Sequence, residues 1–406
     1  MAVKNNSKTF DYLIIGSGII GLAIARNLIN RFPSAQIAIL EKEEDVAYHS
    51  SGRNSGVLHA GFYYTADSLK AKFTRDGNKQ MKEYCYQNKL KINECQKVVV
   101  AKNEDELEAL FELENRGKIN GVNVKIIEEK ELLKIDPNVK TYKYALHSPE
   151  TATVDPVEVN MATKNELIRK GVNFYFKEAY YKRADNNSII TKKGNKFKAK
   201  KIINAAGLYA DKVAKDFNFS ANYTIIPFKG IYLKYHGKDK PVKTNVYPVP
   251  NLKNPFLGVH FTITVDGTVK IGPTSMPAFW RQNYNGFKQF KVSELANILW
   301  WEARLFLTNA FGFRSLAFEE IKKYNKKYFA NLALNMVKSM DINGFNEWGQ
   351  PGIRAQLLNV KTKELVMDFV VESDVNSIHV LNAVSPAFTC SLPFANWVVE
   401  NHIINK

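Results

Sequence analysis

The sequence predicts an α/β fold, α+β overall, and three observations lead to that prediction. A strand-like run, DYLII (11–15), leads through a glycine-rich turn into a helical pattern, and a second apolar run, QIAIL (36–40), follows it. Farther along, the segments VYPVP, FLGVHFTIT and TVKIGPTS alternate apolar and polar residues. The first order of elements is typical of a parallel sheet covered by helices, and the alternation is typical of an antiparallel sheet with one buried face. A chain of 406 residues is long enough for two such cores.

The charge and the cysteine content restrict the partners and the compartment. The chain has 57 Lys and Arg against 40 Asp and Glu, and a net charge of +17 favours an anionic cofactor, substrate or membrane surface. No basic helix with interleaved aromatic residues occurs, so no nucleic-acid partner is expected. Cys85, Cys95 and Cys390 have no metal-ligand spacing, and a sparse, odd set of cysteines indicates a reducing compartment. We expect a cytoplasmic protein without a metal, and the positive charge suits peripheral attachment to the inner membrane.

The turn after the first strand, GSGIIG (16–21), fits the pattern G-x-G-x-x-G of dinucleotide-binding proteins. In that pattern Gly16 permits the turn, Gly18 lets the backbone approach a pyrophosphate, and Gly21 lets helix and strand pack closely. Glu41 ends the second strand, where the pattern has an acidic residue that binds ribose hydroxyls. The N-terminus of the following helix attracts a diphosphate. The sequence therefore predicts a Rossmann-like, dinucleotide-binding domain.

Two distant segments favour FAD over a nicotinamide cofactor, because FAD binds in an extended form and draws contacts from separate parts of a chain. KKIINAAGLYAD (200–211) resembles the second dinucleotide-contacting strand of FAD enzymes. IHVLNAVSPAFTCSLPFANWVVENH (378–402) combines a strand, a Ser-Pro turn and a long helix whose first amide groups would point at the cofactor. The turn residues expected at FAD are Ala206, Gly207, Ser385 and Pro386.

With these segments in order, the chain resembles the D-amino-acid-oxidase-like superfamily of FAD enzymes and, within it, the L-2-hydroxyglutarate dehydrogenase/oxidase family. The resemblance implies oxidation of a 2-hydroxy acid, most closely L-2-hydroxyglutarate to 2-oxoglutarate, by hydride transfer to the flavin with a histidine as base. It rests on five motifs that follow the family's order: HSSGRNSGVLHAGFYY (49–64), PFKGIY (227–232), VYPVP…NPFLGVHFT (246–262), GIRAQL (352–357) and SPAFTCSL (385–392).

The resemblance also assigns roles within the first of these motifs. In the superfamily this segment wraps the pyrophosphate and then passes beneath the flavin, so its glycines permit close backbone approach while its serines and asparagine supply polar contacts. His59 would then lie next to the ring. The residues that we expect to contact the cofactor are Ser51, Gly52, Asn54, Ser55 and Gly56.

Oxidation of an alcohol requires a base for the hydroxyl proton, and imidazole has a suitable pKa. His59 is the leading candidate, with His260 as the alternative base and a purely hydrogen-bonding role for His59 as a second alternative.

A dicarboxylate substrate requires cationic or multiply donating partners. Arg354 is the leading candidate because its planar guanidinium binds a carboxylate through two hydrogen bonds, although a structural ion pair is the alternative role. Tyr247, Thr262 and Lys229 are further substrate-binding candidates, and Tyr63 and Tyr64 could close the pocket.

The placements predict a discontinuous FAD-binding domain (1–90, 150–224 and 346–406) and a substrate domain built on a mostly antiparallel sheet (91–149 and 225–345). Residues 293–340 have apolar positions at helical spacing, and we expect Trp300 and Trp301 there to serve packing.

Two other functions fit parts of the sequence. The first is an FAD-dependent amine or amino-acid oxidase of the same superfamily, against which the family motifs and His59 argue. The second is a basic flavoprotein without a role in hydroxy-acid catabolism. The electron acceptor, whether oxygen, a quinone or another carrier, is left open by the sequence.

Overall fold

A computed structural model describes residues 4–66, 68–250, 258–383 and 385–405. The chain forms two compact units, and each unit is assembled from separate stretches of sequence. Unit 1 comprises residues 1–54, 156–226 and 354–406, and unit 2 comprises residues 55–155 and 227–353.

The strands of the described residues are, in chain order, β1 (Lys4–Ile15), β2 (Ile37–Leu40), β3 (Val57–Leu58), β4 (Ile92–Asn93), β5 (Lys97–Val100), β6 (Lys125–Glu128), β7 (Tyr144–Ser148), β8 (Ala152–Val154), β9 (Asn173–Tyr175), β10 (Tyr180–Asp185), β11 (Ser188–Thr191), β12 (Asn195–Asn204), β13 (Tyr223–Gly230), β14 (Leu233–Tyr235), β15 (Asn245–Pro248), β16 (His260–Ile263), β17 (Val269–Gly272), β18 (Met276–Pro277), β19 (Phe345–Trp348), β20 (Gly352–Asn359), β21 (Val370–Ser373) and β22 (Ser377–Asn382). The helices are α1 (Ile19–Arg31), α2 (Leu69–Gln87), α3 (Asp105–Ile119), α4 (Glu129–Ile135), α5 (Pro156–Arg169), α6 (Ala210–Asp216), α7 (Val292–Thr308), α8 (Phe313–Lys322), α9 (Lys326–Leu334) and α10 (Ala387–Val399).

Unit 1 is built on a sheet in the order β10-β11-β12-β1-β2-β9, to which β22 adds along β12 and β21 along β22. The strands β9, β2, β1, β12 and β22 are parallel, so their carboxyl ends meet at one edge of the sheet. Helix α1 packs against α5 and α10. This is the predicted Rossmann-like arrangement, and its parallel strands read as apolar runs because both of their faces are buried.

Unit 2 contains the sheet β19-β14-β17-β16-β15-β5-β7-β6, which is antiparallel except at the pair β15 and β5. One face of this sheet packs on an apolar cluster that includes residues of α9, and the other packs on the leucines of α3. Alternate residues of each strand therefore enter different environments. Smaller sheets, β3-β8-β4 and β18-β13-β20, complete the described strands.

The first stretch of unit 1 ends at residue 54, whereas the predicted FAD-binding domain continues to residue 90. The reason is that β3 pairs with β8 of unit 2, and α2 is tied to the same unit by a hydrogen bond from Asn78 to the Leu58 carbonyl (2.9 Å). The predicted helical region is present as α7, α8 and α9. The rings of Trp300 and Trp301 contact each other edge to face with centroids 4.7 Å apart, and the Trp300 side chain is 51% exposed.

Candidate active site

The carboxyl ends of β1, β2 and β12 surround the start of α1 in unit 1. Gly16 begins the turn after β1 with φ +104°, a conformation that favours glycine, and a Cβ there would lie 2.6 Å from the Ala205 carbonyl oxygen. A Cβ at Gly21 would overlap the carbonyl oxygen of Gly16. The glycines therefore let α1 approach the ends of β1 and β12, which is the packing expected of a dinucleotide-binding turn.

The first amide groups of α1 are available to an anion or a polar group. Gly18 provides no capping side chain, the first turn has no acidic residue, and the Ile19 amide donates to Ser51 Oγ (2.9 Å). Glu41 accepts hydrogen bonds at one carboxylate oxygen from the amide (3.0 Å) and the hydroxyl (2.7 Å) of Ser17. Ser51 and Glu41 thus both lie against the glycine-rich turn, as their predicted roles require.

The remaining predicted cofactor residues lie on loops of both units. Asn54 holds its own loop through hydrogen bonds to the carbonyls of Ser50 (3.2 Å) and Ser51 (2.9 Å), and Gly52 packs on Ala47. Ala206 and Gly207 directly follow β12 in unit 1, and Ser385 and Pro386 directly precede α10 of the same unit. Ser55 and Gly56 belong to unit 2.

The residues of unit 1 fit FAD. Gly16 and Gly21 are positions where a Cβ would collide with backbone atoms, and both lie at the N-terminus of α1. The first turn of this helix has no acidic residue, and it lies at the carboxyl edge of the parallel sheet. This combination accommodates a diphosphate.

In unit 2, two asparagines hold the loop that carries His59. Asn78 of α2 donates to the carbonyls of Leu58 (2.9 Å) and His59 (3.3 Å). Asn120, which caps the end of α3, donates to the carbonyls of Gly61 (3.1 Å) and Tyr64 (2.9 Å). The backbone from residue 58 to residue 64 is therefore fixed by side chains on two helices.

His59 meets a cluster of chemically reactive side chains on one face of the large sheet. Its Nδ1 lies 3.4 Å from Nζ of Lys97, the first residue of β5. That Nζ lies 4.2 Å from the ring centre of Tyr247, and the Tyr247 ring stacks on His260 with centroids 3.8 Å apart. His260 Nδ1 donates to the Gly258 carbonyl (2.8 Å), since a carbonyl can only accept. The structure thus brings three of the predicted residues, His59, Tyr247 and His260, together with a lysine that the sequence analysis did not select.

Burial determines the protonation of this cluster. Lys97 is fully buried, and burial lowers its pKa to about 7. Burial lowers the pKa of His59 well below its ordinary value, and the charges of Lys97 and His260 contribute smaller decreases. His59 is therefore neutral at physiological pH, which is the state in which a histidine accepts a proton. Burial also raises the pKa of Tyr247, so its hydroxyl stays protonated.

Two polar groups of this cluster lack the partner that burial calls for within the described residues. No carboxylate of the described residues forms an ion pair with Lys97, and the buried hydroxyl of Tyr63 has no hydrogen-bond partner there. Lys270 is opposite Thr262 in the β16–β17 pair, and burial lowers its pKa to about 8. A buried cation without a carboxylate partner and a buried hydroxyl without a hydrogen-bond partner indicate a site for a polar, anionic ligand.

The other two predicted substrate residues, Arg354 and Lys229, lie on strands outside the large sheet of unit 2. Arg354 is part-buried on β20 and belongs to unit 1. Lys229 lies on β13, in a different sheet of unit 2, where burial lowers its pKa. The stretch NPFL (254–257) of the third motif lies outside the described residues.

The sequence analysis missed Lys97 and Lys270. Each occupies a strand among apolar residues, KVVV and VKIG, and a lysine at such a position commonly points to water. The environment of Lys97 comes from aromatic rings that distant parts of the chain supply, since its Nζ lies 4.2 Å from the ring centre of Tyr247 and 5.3 Å from that of Tyr63. The signal that could have identified them is a lysine next to or within a short apolar strand.

The sequence matches the family model described as FAD dependent oxidoreductase (DAO) over residues 11–400. The chain is 36% identical to an L-2-hydroxyglutarate dehydrogenase of Indibacter alkaliphilus, over 96% of this chain and 98% of the relative. It is 34% identical to the mitochondrial L-2-hydroxyglutarate dehydrogenase of Dictyostelium discoideum, over 98% and 93%. Its fold is similar to that of the FAD-bound L-α-glycerophosphate oxidase of Mycoplasma pneumoniae (TM-score 0.74, 22% identity, 97% and 94% covered). The chain therefore belongs to the DAO family of FAD-dependent oxidoreductases and, within it, to the L-2-hydroxyglutarate dehydrogenases, and it is an enzyme that acts on a CH–OH group.

Proposed function

We propose that this protein oxidises L-2-hydroxyglutarate to 2-oxoglutarate. The names of its relatives support this substrate. The observation that carries the proposal is the buried pair of His59 and Lys97, 3.4 Å apart, in which a neutral base adjoins a cation without a carboxylate partner among the described residues. A 2-hydroxy acid carries a hydroxyl group on the carbon next to a carboxylate, so the two functional groups match the two side chains.

FAD, when bound, accepts the hydride that leaves the substrate carbon. In unit 1, the turn of Gly16, Gly18 and Gly21 would hold its diphosphate at the start of α1, with Glu41 and Ser51 beside it. The further residues proposed to contact FAD are Gly52, Asn54, Ser55, Gly56, Ala206, Gly207, Ser385 and Pro386.

In this proposal His59 removes the hydroxyl proton, and Lys97 controls when it can do so. As an ammonium group, Lys97 donates toward His59 Nδ1 and occupies the lone pair of that nitrogen. A substrate carboxylate that binds Lys97 competes for the same proton and releases Nδ1 for the adjacent hydroxyl. His260, whose Nδ1 donates to Gly258, orients the Tyr247 ring by stacking and is the alternative base.

The second carboxylate requires a second cation, and Lys270 is the candidate within the same sheet. It lies across the β16–β17 pair from Thr262, whose side chain is buried. Tyr247 and Thr262 would donate to substrate oxygens. Arg354 and Lys229 remain candidates for carboxylate binding, the former through a bidentate contact.

Anaerobic reduction of the purified flavoprotein tests the proposal. L-2-hydroxyglutarate, its D enantiomer, L-lactate, sarcosine and glycine are added separately while the visible flavin absorbance is recorded. We expect bleaching by L-2-hydroxyglutarate and little by the others. Bleaching by sarcosine or glycine would instead identify an amine oxidase, and a flavin that no hydroxy acid bleaches would refute the proposed reaction.

A further inference from the structure

The hydroxyl group of Tyr63 in unit 2 is buried, although the residue as a whole is partly exposed. A tyrosine near a protein surface usually buries its ring and keeps its hydroxyl in water. In Tyr63 the hydroxyl is the buried end, and within the described residues it has no hydrogen-bond partner. Because a buried hydroxyl in this state costs free energy, its inward orientation requires an explanation.

The contacts around Tyr63 hold its ring in this orientation. Asn120, at the end of α3, donates to the Tyr64 carbonyl (2.9 Å), and Arg116 of the same helix donates to the Tyr63 carbonyl (3.4 Å). The ring packs against the apolar cluster that contains the leucines of α3, with the Phe62 ring 4.3 Å away between centroids. The inward hydroxyl is therefore fixed by the fold of unit 2.

Tyr63 is one of three aromatic residues that surround the ammonium group of Lys97. The ring centres of Phe62, Tyr63 and Tyr247 lie 5.7, 5.3 and 4.2 Å from Lys97 Nζ. Aromatic rings attract an ammonium group, but they do not replace the oxygen acceptors that its three N–H donors require. Among the described residues, His59 Nδ1 is the hydrogen-bond partner of this Nζ, at 3.4 Å. Donors of Lys97 therefore remain for a ligand beside the Tyr63 ring.

Tyr63 can act there only as a neutral hydrogen-bond donor or acceptor. Burial, and to a smaller extent the phenols of Tyr247 and Tyr64, raises the pKa of Tyr63 well above its ordinary value. A group that accepts from both an ammonium and a hydroxyl must carry at least two acceptor positions. A carboxylate does so with its two oxygens, and hydrogen bonds to a charged acceptor are the stronger ones.

We propose that Tyr63 is a substrate-binding residue that determines specificity for a carboxylate next to the reacting hydroxyl. Its hydroxyl donates to one oxygen of this carboxylate while Lys97 binds the other, an inference that rests on the proposed function. This carboxylate is favoured over the second one because the Tyr63 ring adjoins Lys97, whereas Lys270 lies over the ring of Tyr232 at 4.6 Å. The Tyr63 hydroxyl thus gains its partner when the substrate binds, and a molecule without this carboxylate leaves it unpaired.

The variant Tyr63→Phe tests the inference, because it removes the hydroxyl and keeps the ring. Anaerobic stopped-flow reduction of the purified flavoprotein, over a range of L-2-hydroxyglutarate or L-2-hydroxybutanoate concentrations, gives the half-saturating concentration and the limiting rate. Titration with 2-oxoglutarate, followed by flavin absorbance, gives a Kd without turnover. The matched control is Tyr144→Phe, since Tyr144 packs partly buried against the same apolar cluster, with the Phe111 ring 5.8 Å away.

We expect Tyr63→Phe to raise the half-saturating concentration of both hydroxy acids, and the Kd of 2-oxoglutarate, by about 10- to 100-fold. The limiting rate should change little, because the carboxylate is bound equally before and during hydride transfer. The temperature of thermal unfolding without substrate should not fall, since the lost hydroxyl has no partner in the described chain. The control should behave like the wild type in each measurement.

The outcomes separate this inference from the proposed function. If L-2-hydroxyglutarate reduces the wild type and Tyr63→Phe binds both hydroxy acids normally, the inference fails while the proposed function stands. An effect confined to L-2-hydroxyglutarate would place Tyr63 at the second carboxylate, and a lower unfolding temperature or an equal loss in Tyr144→Phe would indicate a structural role; each overturns the inference. A wild type that L-2-hydroxyglutarate does not reduce refutes the proposed function and the inference with it.

Discussion

At the scale of single residues, the central feature is a buried lysine beside a histidine. A buried ammonium group without a counter-ion is costly, and burial therefore lowers the pKa of Lys97 to about 7. The charge of Lys97 in turn helps to keep His59 neutral. In the proposed reaction, the same pair supplies both the base and the group that binds the substrate carboxylate.

The variant His59→Ala should retain flavin but reduce it at least about 100-fold more slowly with substrate, since general-base help is worth that much or more. Stopped-flow absorbance under anaerobic conditions measures the rate. His236→Ala is the control, because His236 is an exposed histidine of the same unit, paired with Glu347 at 2.8 Å. Reduction of His59→Ala at a near-normal rate would move the base to another group, with His260 the first to test.

The pH profile of kcat/KM should reflect Lys97. Its pKa of about 7 means that the ammonium form is lost as the pH rises, so kcat/KM should fall on the alkaline side. The lowered pKa of His59 means that the acid side should fall only below the ordinary histidine value of about 6.5. In Lys97→Arg, whose guanidinium stays charged, the alkaline limb should move upward. If the alkaline limb of the profile is unchanged in this variant, Lys97 does not bind the substrate.

Substitutions of Lys97 and Lys270 should affect the KM values of a dicarboxylate and a monocarboxylate substrate differently. Lys97→Met should raise KM about tenfold or more for both L-2-hydroxyglutarate and L-2-hydroxybutanoate, because both carry the carboxylate next to the hydroxyl. Lys270→Met should raise KM mainly for the dicarboxylate. Equal effects of Lys270→Met on the two substrates would assign the second carboxylate to another residue, with Arg354 and Lys229 as the candidates.

At the scale of elements, burial also shifts the pKa of a carboxyl group on helix α7. Glu302 lies on its buried side, Oε1 has no hydrogen-bond partner in the described chain, and burial raises its pKa to about 8. The helix thus carries a carboxyl group inward while apolar side chains point outward, which is an arrangement that costs stability.

The variant Glu302→Gln should be more stable than the wild type at neutral pH. The folded-state pKa of about 8 exceeds the unfolded value of about 4.3, so the folded protein binds a proton that the unfolded chain has lost, and wild-type stability declines as the pH rises through this window. Glutamine does not ionise, and we expect a gain on the order of 1–3 kcal/mol at pH 7 that shrinks toward zero near pH 4.5. Urea unfolding at several pH values measures it. The control Glu319→Gln, at an exposed ion pair of α8, should change stability by less than about 1 kcal/mol, and a gain in Glu302→Gln that does not grow with pH would contradict the explanation.

At the scale of the whole molecule, unit 1 joins three separate stretches of sequence around the predicted FAD-binding turn. A ligand that binds the native state only stabilises it by about 2.7 kcal/mol at a free concentration 100 times Kd. Removal of FAD should therefore lower the temperature of thermal unfolding, and added FAD should restore it.

The variant Gly21→Ala should lose this response to FAD, because its Cβ would overlap the Gly16 carbonyl oxygen inside the turn. Gly171→Ala, at a position where a Cβ meets no atom within 4 Å, should retain the response with only a small loss of stability from its positive φ. Thermal unfolding with and without added FAD measures both. A Gly21→Ala protein that FAD stabilises normally would contradict the role of this turn.

Much of the fold could be predicted because its signals are local. The turn from Gly16 to Gly21, the apolar strands β1 and β2, and the amphipathic helices each carry their pattern within a few residues. The site could be predicted only in part. His59, Tyr247 and His260 were selected from motifs, whereas Lys97 and Lys270 were not, since nothing local distinguishes a lysine that faces water from one that distant side chains enclose.

By itself, the sequence determined the fold class, the FAD-binding turn and the motif residues of the candidate site, because short-range spacing and backbone requirements define them. The tertiary structure alone decided that Tyr63 and Tyr247 enclose Lys97 beside His59, that unit 2 begins at residue 55, and that α7 turns Trp300 outward. Burial, and the pKa values that follow from it, depend on which distant elements cover a residue, and only the folded chain brings those elements together.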